Sequence, residues 1–369
     1  MAGGILMIVA IALFIMVHEA GHYFAAKATG MKATEFFLGF GPKIWSVQRG
    51  ETEFGVKAIP FGGYVRIVGM NPLEEVEPED IGRTYREAVF WKKSLVVLSG
   101  VVLNFAMAFL LLFFLFWFSG LSEPITTIEE VRPEISEGVA TPAALAGLAA
   151  GDVIVAIDGI DVETWEAAVD VIAARPNRDV AIRVLRDGQP LTLQATLAAS
   201  NPVSGEAIGF LGVSPGVTEV SIGPFRALGL AGRAELTIID QSFQAIGRIV
   251  RPSALAELGG ALFGNTEVSD EIRPVSPIGL VQIGAQANQV GFGNVVFILA
   301  SVNIILGIFN GLPLYPLDGG HFAVALWEKV TGREVNIRRL IPVAAAVIAL
   351  MLFLGVVAIV LDVANPISL

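Results

Sequence analysis

The run His18-Glu19-Ala20-Gly21-His22 is the place in this sequence where residue type and spacing speak most directly of chemistry. Two imidazoles four residues apart lie on one helical face, close enough to share one zinc ion, and the adjacent Glu19 reaches a water at that ion. With 3 His and 24 Glu in the chain, chance predicts roughly 0.002 H-E-x-x-H runs. The plainer reading, two histidines snorkelling at an interface with Glu19 paired to Lys27, leaves the spacing unexplained. Catalytic zinc takes three protein ligands and keeps a fourth position for water, so one ligand is missing from the motif. Cysteine is absent, which leaves His, Asp and Glu to supply it. The third histidine, His321, and the carboxylate Asp318 share the Pro/Gly-rich run Asn310-Gly-Leu-Pro-Leu-Tyr-Pro-Leu-Asp-Gly-Gly-His321. Chemistry alone does not choose between them.

The elements that must hold these residues are apolar. Only 16% of the 369 residues are charged and 54% are hydrophobic, with a mean hydropathy of +0.69, which excludes a disordered chain and argues against a wholly soluble enzyme. The net charge of −11 without any Lys/Arg-rich run offers no phosphate-neutralising surface, so no nucleic-acid partner is expected. A bilayer needs about 20 mostly apolar residues per helix. Four segments qualify: Ile5 to about Ala28, Leu95 to Phe118, Val295 to Leu312 and Ile341 to Leu361. No Lys or Arg precedes Lys27, so the first run lacks the basic flank of a signal peptide, and cleavage there would destroy the motif. Nine Lys/Arg in 29–94 and four in 320–340 put both connections in the cytoplasm by the positive-inside rule, with both termini and the long 119–294 segment outside.

From about Ile125 to Leu197, short β-like runs alternate with Asp158-Gly159 and Asp187-Gly188 turn signals, and Thr164 is set to cap a helix through Ile172. A small β-rich domain with two helices is predicted. The run from Thr141 to Gly159 resembles the SPAxxAGLxxGDxIxxING core of bacterial PDZ domains. That resemblance implies capture of an extended peptide, with a C-terminal carboxylate as one possible ligand, or else a steric plug that binds nothing. Farther on, Pro224 to Val250 is apolar but holds five charges, as expected of an amphipathic or surface-lying helix. The Gly259 to Gly279 region reads as irregular connection.

Taken together, the H-E-x-x-H motif in the first span, Leu317-Asp318-Gly319-Gly320 after the third, and a PDZ between the second and third resemble the bacterial site-2 proteases, and within them the RseP/RasP group that cleaves anti-sigma factors. Gly39-Phe40-Gly41-Pro42 and Phe61-Gly62-Gly63-Tyr64-Val65 look like that family's membrane-associated loop and re-entrant β segment. The resemblance implies that Asp318 completes a Zn2+ site with His18 and His22, that Glu19 is the catalytic base, that Asn310 and Pro313 position substrate, and that His321 is secondary. It implies a multi-pass α-helical membrane protein with four transmembrane helices, a membrane-associated β segment and an inserted extracytoplasmic PDZ domain of β-rich α+β type. The expected divisions are 1–28 (first span), 29–94 (cytoplasmic loop with the re-entrant β segment), 95–118, 125–198 (PDZ), 199–294 (amphipathic connection), 295–320 (third span with the Asp318 motif), 321–340 and 341–361. One PDZ stands where some relatives carry two.

The expected reaction is zinc-dependent hydrolysis of peptide bonds inside the membrane, with the site near the cytoplasmic side of a bacterial inner membrane. Expected partners are the lipid bilayer and single-span membrane proteins, anti-sigma factors among them, already shortened outside the membrane; that ordering comes from the resemblance. The β-like run Glu53 to Pro60, ending in Gly62-Gly63, is a candidate edge for holding an unwound substrate as a strand. A membrane metallopeptidase of the HtpX type would need a downstream helical Glu ligand that is not evident here. A PDZ adaptor without catalysis would have no use for His18, Glu19 or His22.

Overall fold

The computed structural model describes residues 2–71, 74–136, 138–200, 202, 205–264 and 268–367. Small parts of the predicted 29–94, 125–198 and 199–294 divisions therefore lie outside the described residues, as do the side chains of Pro60 and Phe61. In chain order the elements are α1 (Ala2–Ala28), β1 (Ala33–Arg49), β2 (Thr52–Ile67), α2 (Phe90–Ser119), β3 (Leu121–Val131), β4 (Glu134–Ser136), β5 (Val139–Ala140), α3 (Pro142–Ala146), β6 (Val153–Ile157), β7 (Ile160–Asp161), α4 (Trp165–Ala173), β8 (Asp179–Arg186), β9 (Gln189–Thr196) and β10 (Val213–Val220). Then come α5 (Pro224–Ile249), α6 (Pro252–Ala261), α7 (Pro277–Val290), α8 (Phe292–Gly311), α9 (Asp318–Thr331) and α10 (Ile341–Ala364). They form two compact units, one from residues 1–117 with 223–369, the other from 118–222.

In the first unit, α1, α2, α8 and α10 are long and apolar enough to cross a membrane. Leu112 and Ala108 of α2 pack with Ala300, Ile304 and Ile308 of α8 and with Ala231 and Ile238 of α5. The buried positions Ala227, Ala231, Ile238 and Ser242 fall on one face of α5, while Phe225, Leu228, Leu236 and Phe243 are exposed beside its charged residues, so this helix packs on the bundle by one side. An Asn303 amide on α8 donates to the Asn104 carbonyl of α2 at 2.8 Å, a polar tie between two apolar helices. The region from Gly259 to Gly279, predicted as irregular, overlaps only the end of α6 and the start of α7, and its described residues between those helices are irregular. Ser276 caps α7, accepting from the Ile278 and Gly279 amides with Pro277 in the first turn, a start signal that the surrounding glycines obscured.

The strands β1 and β2 are antiparallel, bent at Gly39, Gly41 and Gly62, which have positive φ. Because of the bends, Phe36 to Leu38 are matched on one side by Val65, Tyr64 and Gly63 and on the other by Phe54, Gly55 and Val56, while Trp45 to Arg49 match Val56 to Thr52. The stretch Gly63 to Ile67 is thus an outer edge of the hairpin. This edge meets α1: a Cβ at Gly63 would sit 3.3 Å from Ile15 and 3.5 Å from Glu19 Cγ. The hairpin is tethered by Glu51, which pairs with Lys27 and with Arg83 at 2.9 Å. Those cations hold the Glu51 carboxyl below its usual range.

The second unit is a six-stranded sheet in the order β10-β3-β6-β8-β9, with β7 beside β6. Its core is Ile128, Ile154, Ile157, Ile182, Leu197 and neighbours, the inward set of alternating strands. Asp158 and Asp187 take positive φ, as do the glycines that follow them, which fits the tight turns their sequence predicts. Thr164 caps α4 by accepting from the Ala167 amide. The unit extends past residue 198, because β10 pairs with β3 from Val213↔Val131 to Val220↔Leu121. Arg186 clamps the buried Asp152 at 2.7 Å, and Asp152 also accepts from the Ala149 amide at 2.9 Å.

Candidate metal centre

The motif helix α1 presents His18 and His22 on one face, both buried. Opposite them stands Asp318, the first residue of α9, where a helix N-terminus favours a carboxylate. Two glycines allow it to stand there. A Cβ at Gly319 would lie 2.1 Å from the Gly311 carbonyl, and one at Gly320 would lie 2.4 Å from the Tyr315 amide, so α9 can start against the end of α8 only with bare backbone at both positions. The turn between the two helices includes a cis Tyr315–Pro316 peptide.

The donor atoms converge. Asp318 Oδ2 is 3.0 Å from His18 Nε2 and 3.2 Å from His22 Nε2, and the two Nε2 atoms are 3.1 Å apart. A tetrahedral zinc with ligands at 2.0–2.2 Å requires donor spacings of about 3.3 Å, so one small cation fits the three. The electrostatics suit a cation as well. His22 Nδ1 donates to the Val96 carbonyl at 2.7 Å, which leaves its Nε2 as a lone pair aimed at a carboxylate oxygen and a second imidazole. Asp318 Oδ2 is buried without a hydrogen-bond donor. Three electron-rich atoms this close, out of water, call for a positive charge among them. These three form a group of His and Asp side chains able to hold a metal.

Glu19 stands beside the ligands under the hairpin edge, next to Gly63 and the Val65 backbone amide. Sequence reasoning missed the contribution of α2. A Cβ at Gly100 would fall 2.6 Å from His22 Nε2 and 2.8 Å from His18 Cε1, and one at Gly21 would fall 2.7 Å from the Ser99 carbonyl. The two helices therefore cross at these glycines, and α2 walls the imidazoles in. A small residue in each of two apolar runs was the available signal, and it is too common to be read alone.

The other candidates are elsewhere around the turn. Asn310 is in the last turn of α8, half-buried. Pro313 borders a cavity between α9 and the start of α10. His321 packs against the Tyr315 ring at 4.9 Å and edge-on to Tyr85 at 6.4 Å; it is not one of the three converging ligands. Together with Tyr315 it lines a cavity of about 740 Å3 whose other wall is the hairpin edge from Tyr64 to Ile67.

Comparison with known proteins shows the family. The chain is 33% identical to the zinc metalloprotease Rip1 of Mycobacterium tuberculosis over an alignment covering 100% of this chain and 98% of that one. It is 30% identical to Rip1 of Mycolicibacterium smegmatis, with the same coverage, and 26% identical to the zinc metalloprotease RasP of Shouchella clausii over 88% of this chain and 90% of that one. The family model described as Peptidase family M50 matches residues 6–356. From its first apolar helix into its last, this chain belongs to peptidase family M50, the site-2 protease family that its motifs resemble.

Proposed function

We propose that this chain is a zinc-dependent endopeptidase that cuts peptide bonds within the transmembrane segments of single-span proteins. The observation that carries the reading is the triangle of His18 Nε2, His22 Nε2 and Asp318 Oδ2, with edges of 3.0–3.2 Å, built partly on a helix long and apolar enough to cross a membrane. Membership of the family and the names of the relatives support zinc and proteolysis. Zinc bound by His18, His22 and Asp318 would polarise the scissile carbonyl and acidify the attacking water.

The remaining steps belong to the protein. Glu19 takes the proton from the attacking water and returns it to the leaving nitrogen. Val96 fixes the His22 ring through Nδ1, which holds the lone pair on the metal side. A helical substrate hides its carbonyls in its own hydrogen bonds, so it must be unwound first. The edge Gly63 to Ile67 and the cavity shared by Tyr64, Tyr315 and His321 suit a substrate added as a strand. Asn310 and Pro313, in the run just before Asp318, help to position it.

By the charge of its loops, the chain lies in a bacterial inner membrane with the active site near the cytoplasmic face. Residues 118–222 act as an extracytoplasmic domain of PDZ type, which receives a substrate end or excludes bulky ectodomains. Substrates are single-span proteins already shortened outside, anti-sigma factors among them. The test is cleavage of a tagged single-span protein in reconstituted membranes, with bound zinc measured in parallel. Wild type should cut within the apolar segment, Glu19→Gln should keep zinc and lose activity by roughly 100-fold or more, and Asp318→Asn should lose both. Equal behaviour of all three proteins would refute the assignment.

A further inference from the structure

A second cavity, of about 610 Å3, lies between α9 and the start of α10. Its lining carries Arg333 and Arg339, with Glu334 as its acidic residue. Among the described residues neither arginine is paired with a carboxylate, and the same is true of the adjoining Lys329 and Arg338. The nearby Glu328 is taken by Lys93 at 3.3 Å. Positive charge is therefore in excess in this lining. The lining also has apolar residues, Val324 from α9 and Leu340 and Val343 at the start of α10.

The position of the cavity says what meets it. α10 is apolar over most of its length, yet only 11% of its most apolar window is buried by the rest of the protein, so its flank faces lipid. Trp327, in the lining, is 59% exposed, the placement of an aromatic residue at a membrane boundary. A lining that joins two unpaired arginines to apolar residues, beside a lipid-facing helix, matches a phosphate head with its acyl chains.

We propose that this cavity binds an anionic phospholipid, the phosphate held by Arg333 and Arg339 and the acyl chains lying along Val324 and Val343. The inference rests on reading the apolar helices as membrane spans and not on the protease reading. Its consequence reaches the metal centre all the same, because Tyr315 and Gly320 line the same cavity. A lipid seated there braces the turn that presents Asp318.

The experiment uses the full chain in nanodiscs of mixed phosphatidylglycerol and phosphatidylcholine. Native mass spectrometry counts the lipids retained on release, and bound zinc reports that each variant is folded. Wild type should retain phosphatidylglycerol in preference to phosphatidylcholine. The double substitution Arg333→Gln with Arg339→Gln should lower that preference roughly 10- to 30-fold, as expected for two basic groups at an anionic surface. Val343→Trp, which fills the apolar part, should also expel the lipid with both arginines intact. Unchanged retention in both variants would overturn the proposal. So would displacement of the lipid by millimolar inorganic phosphate in wild type, with phosphate binding unaltered by Val343→Trp, since the cavity would then be a site for a free anion. Displacement by an equimolar single-span peptide would instead mark it as part of the substrate path.

Discussion

At the scale of single residues, the centre depends as much on a missing methyl group as on its ligands. Gly100→Ala would put a carbon 2.6 Å from His22 Nε2, and the backbone of α2 cannot retreat without breaking the Val96 contact that orients the same ring. Zinc content is expected to fall roughly 10- to 100-fold, the usual cost of disturbing what orients a ligand, in a protein that still inserts and folds; full zinc occupancy by elemental analysis would show that α2 is not a wall of the site. The sequence made His18, Glu19 and His22 legible because helical periodicity puts both rings on one face. It could not choose between Asp318 and His321, since either residue type binds zinc and both stand in one loop. The choice is made by helix geometry: Asp318 opens α9 at the metal side, while three residues later His321 has turned toward Tyr315 and Tyr85. Gly100 was invisible because a glycine in an uncharged 24-residue run carries no pattern of its own.

At the scale of elements, two devices bring distant segments to the site. The first is the junction of α8 and α9, where Gly319→Ala would drive a methyl to 2.1 Å from the Gly311 carbonyl. We expect a loss of about 3 kcal/mol or more in stability, together with zinc loss, measured by thermal unfolding in detergent; a variant as stable as wild type would mean that α9 slides freely. The second is the hairpin edge. The chain has no native cysteine, so a single cysteine introduced at Tyr64, Val65 or Arg66 can be paired cleanly with a scan of cysteines along a substrate in a Glu19→Gln background. Strand addition predicts cross-links that alternate with period two along the substrate; a period of three to four would mean that it binds as a helix. The sequence pattern puts the edge at Glu53 to Pro60, but Glu53 to Val56 are paired on both sides, with Glu35 to Leu38 and with Trp45 to Gln48; the edge is Gly63 to Ile67 instead, because bends at glycines do not reveal in the sequence which strand lies next to which. Likewise β10 was missed: Pro215 and Gly216 interrupt its strand pattern, and only its pairing with β3 supplies the reason for its extended form.

At the scale of the whole molecule, each unit has an apolar core of its own, and the 118–222 unit adds to its core an ion pair at Asp152, 1% exposed and clamped by Arg186. That guanidinium holds the Asp152 carboxyl below its usual range. An unfolded chain therefore takes up this proton first as pH falls, so the pair contributes fully above about pH 4 and its contribution is lost as pH drops further. Arg186→Gln should destabilise this unit at neutral pH, read as a lower urea midpoint for Trp165 emission, and should reduce the loss of stability on acidification relative to wild type. A midpoint equally sensitive to acid in both proteins would assign that sensitivity to other carboxylates. The order of the chain adds something else. His18 and His22 are translated about 300 residues ahead of Asp318. A ribosome-bound chain thus carries two of the three converging side chains through that interval without the third. Late arrival of the last ligand keeps an unfinished molecule from hydrolysing its neighbours, and makes any product cut short before Asp318 inert.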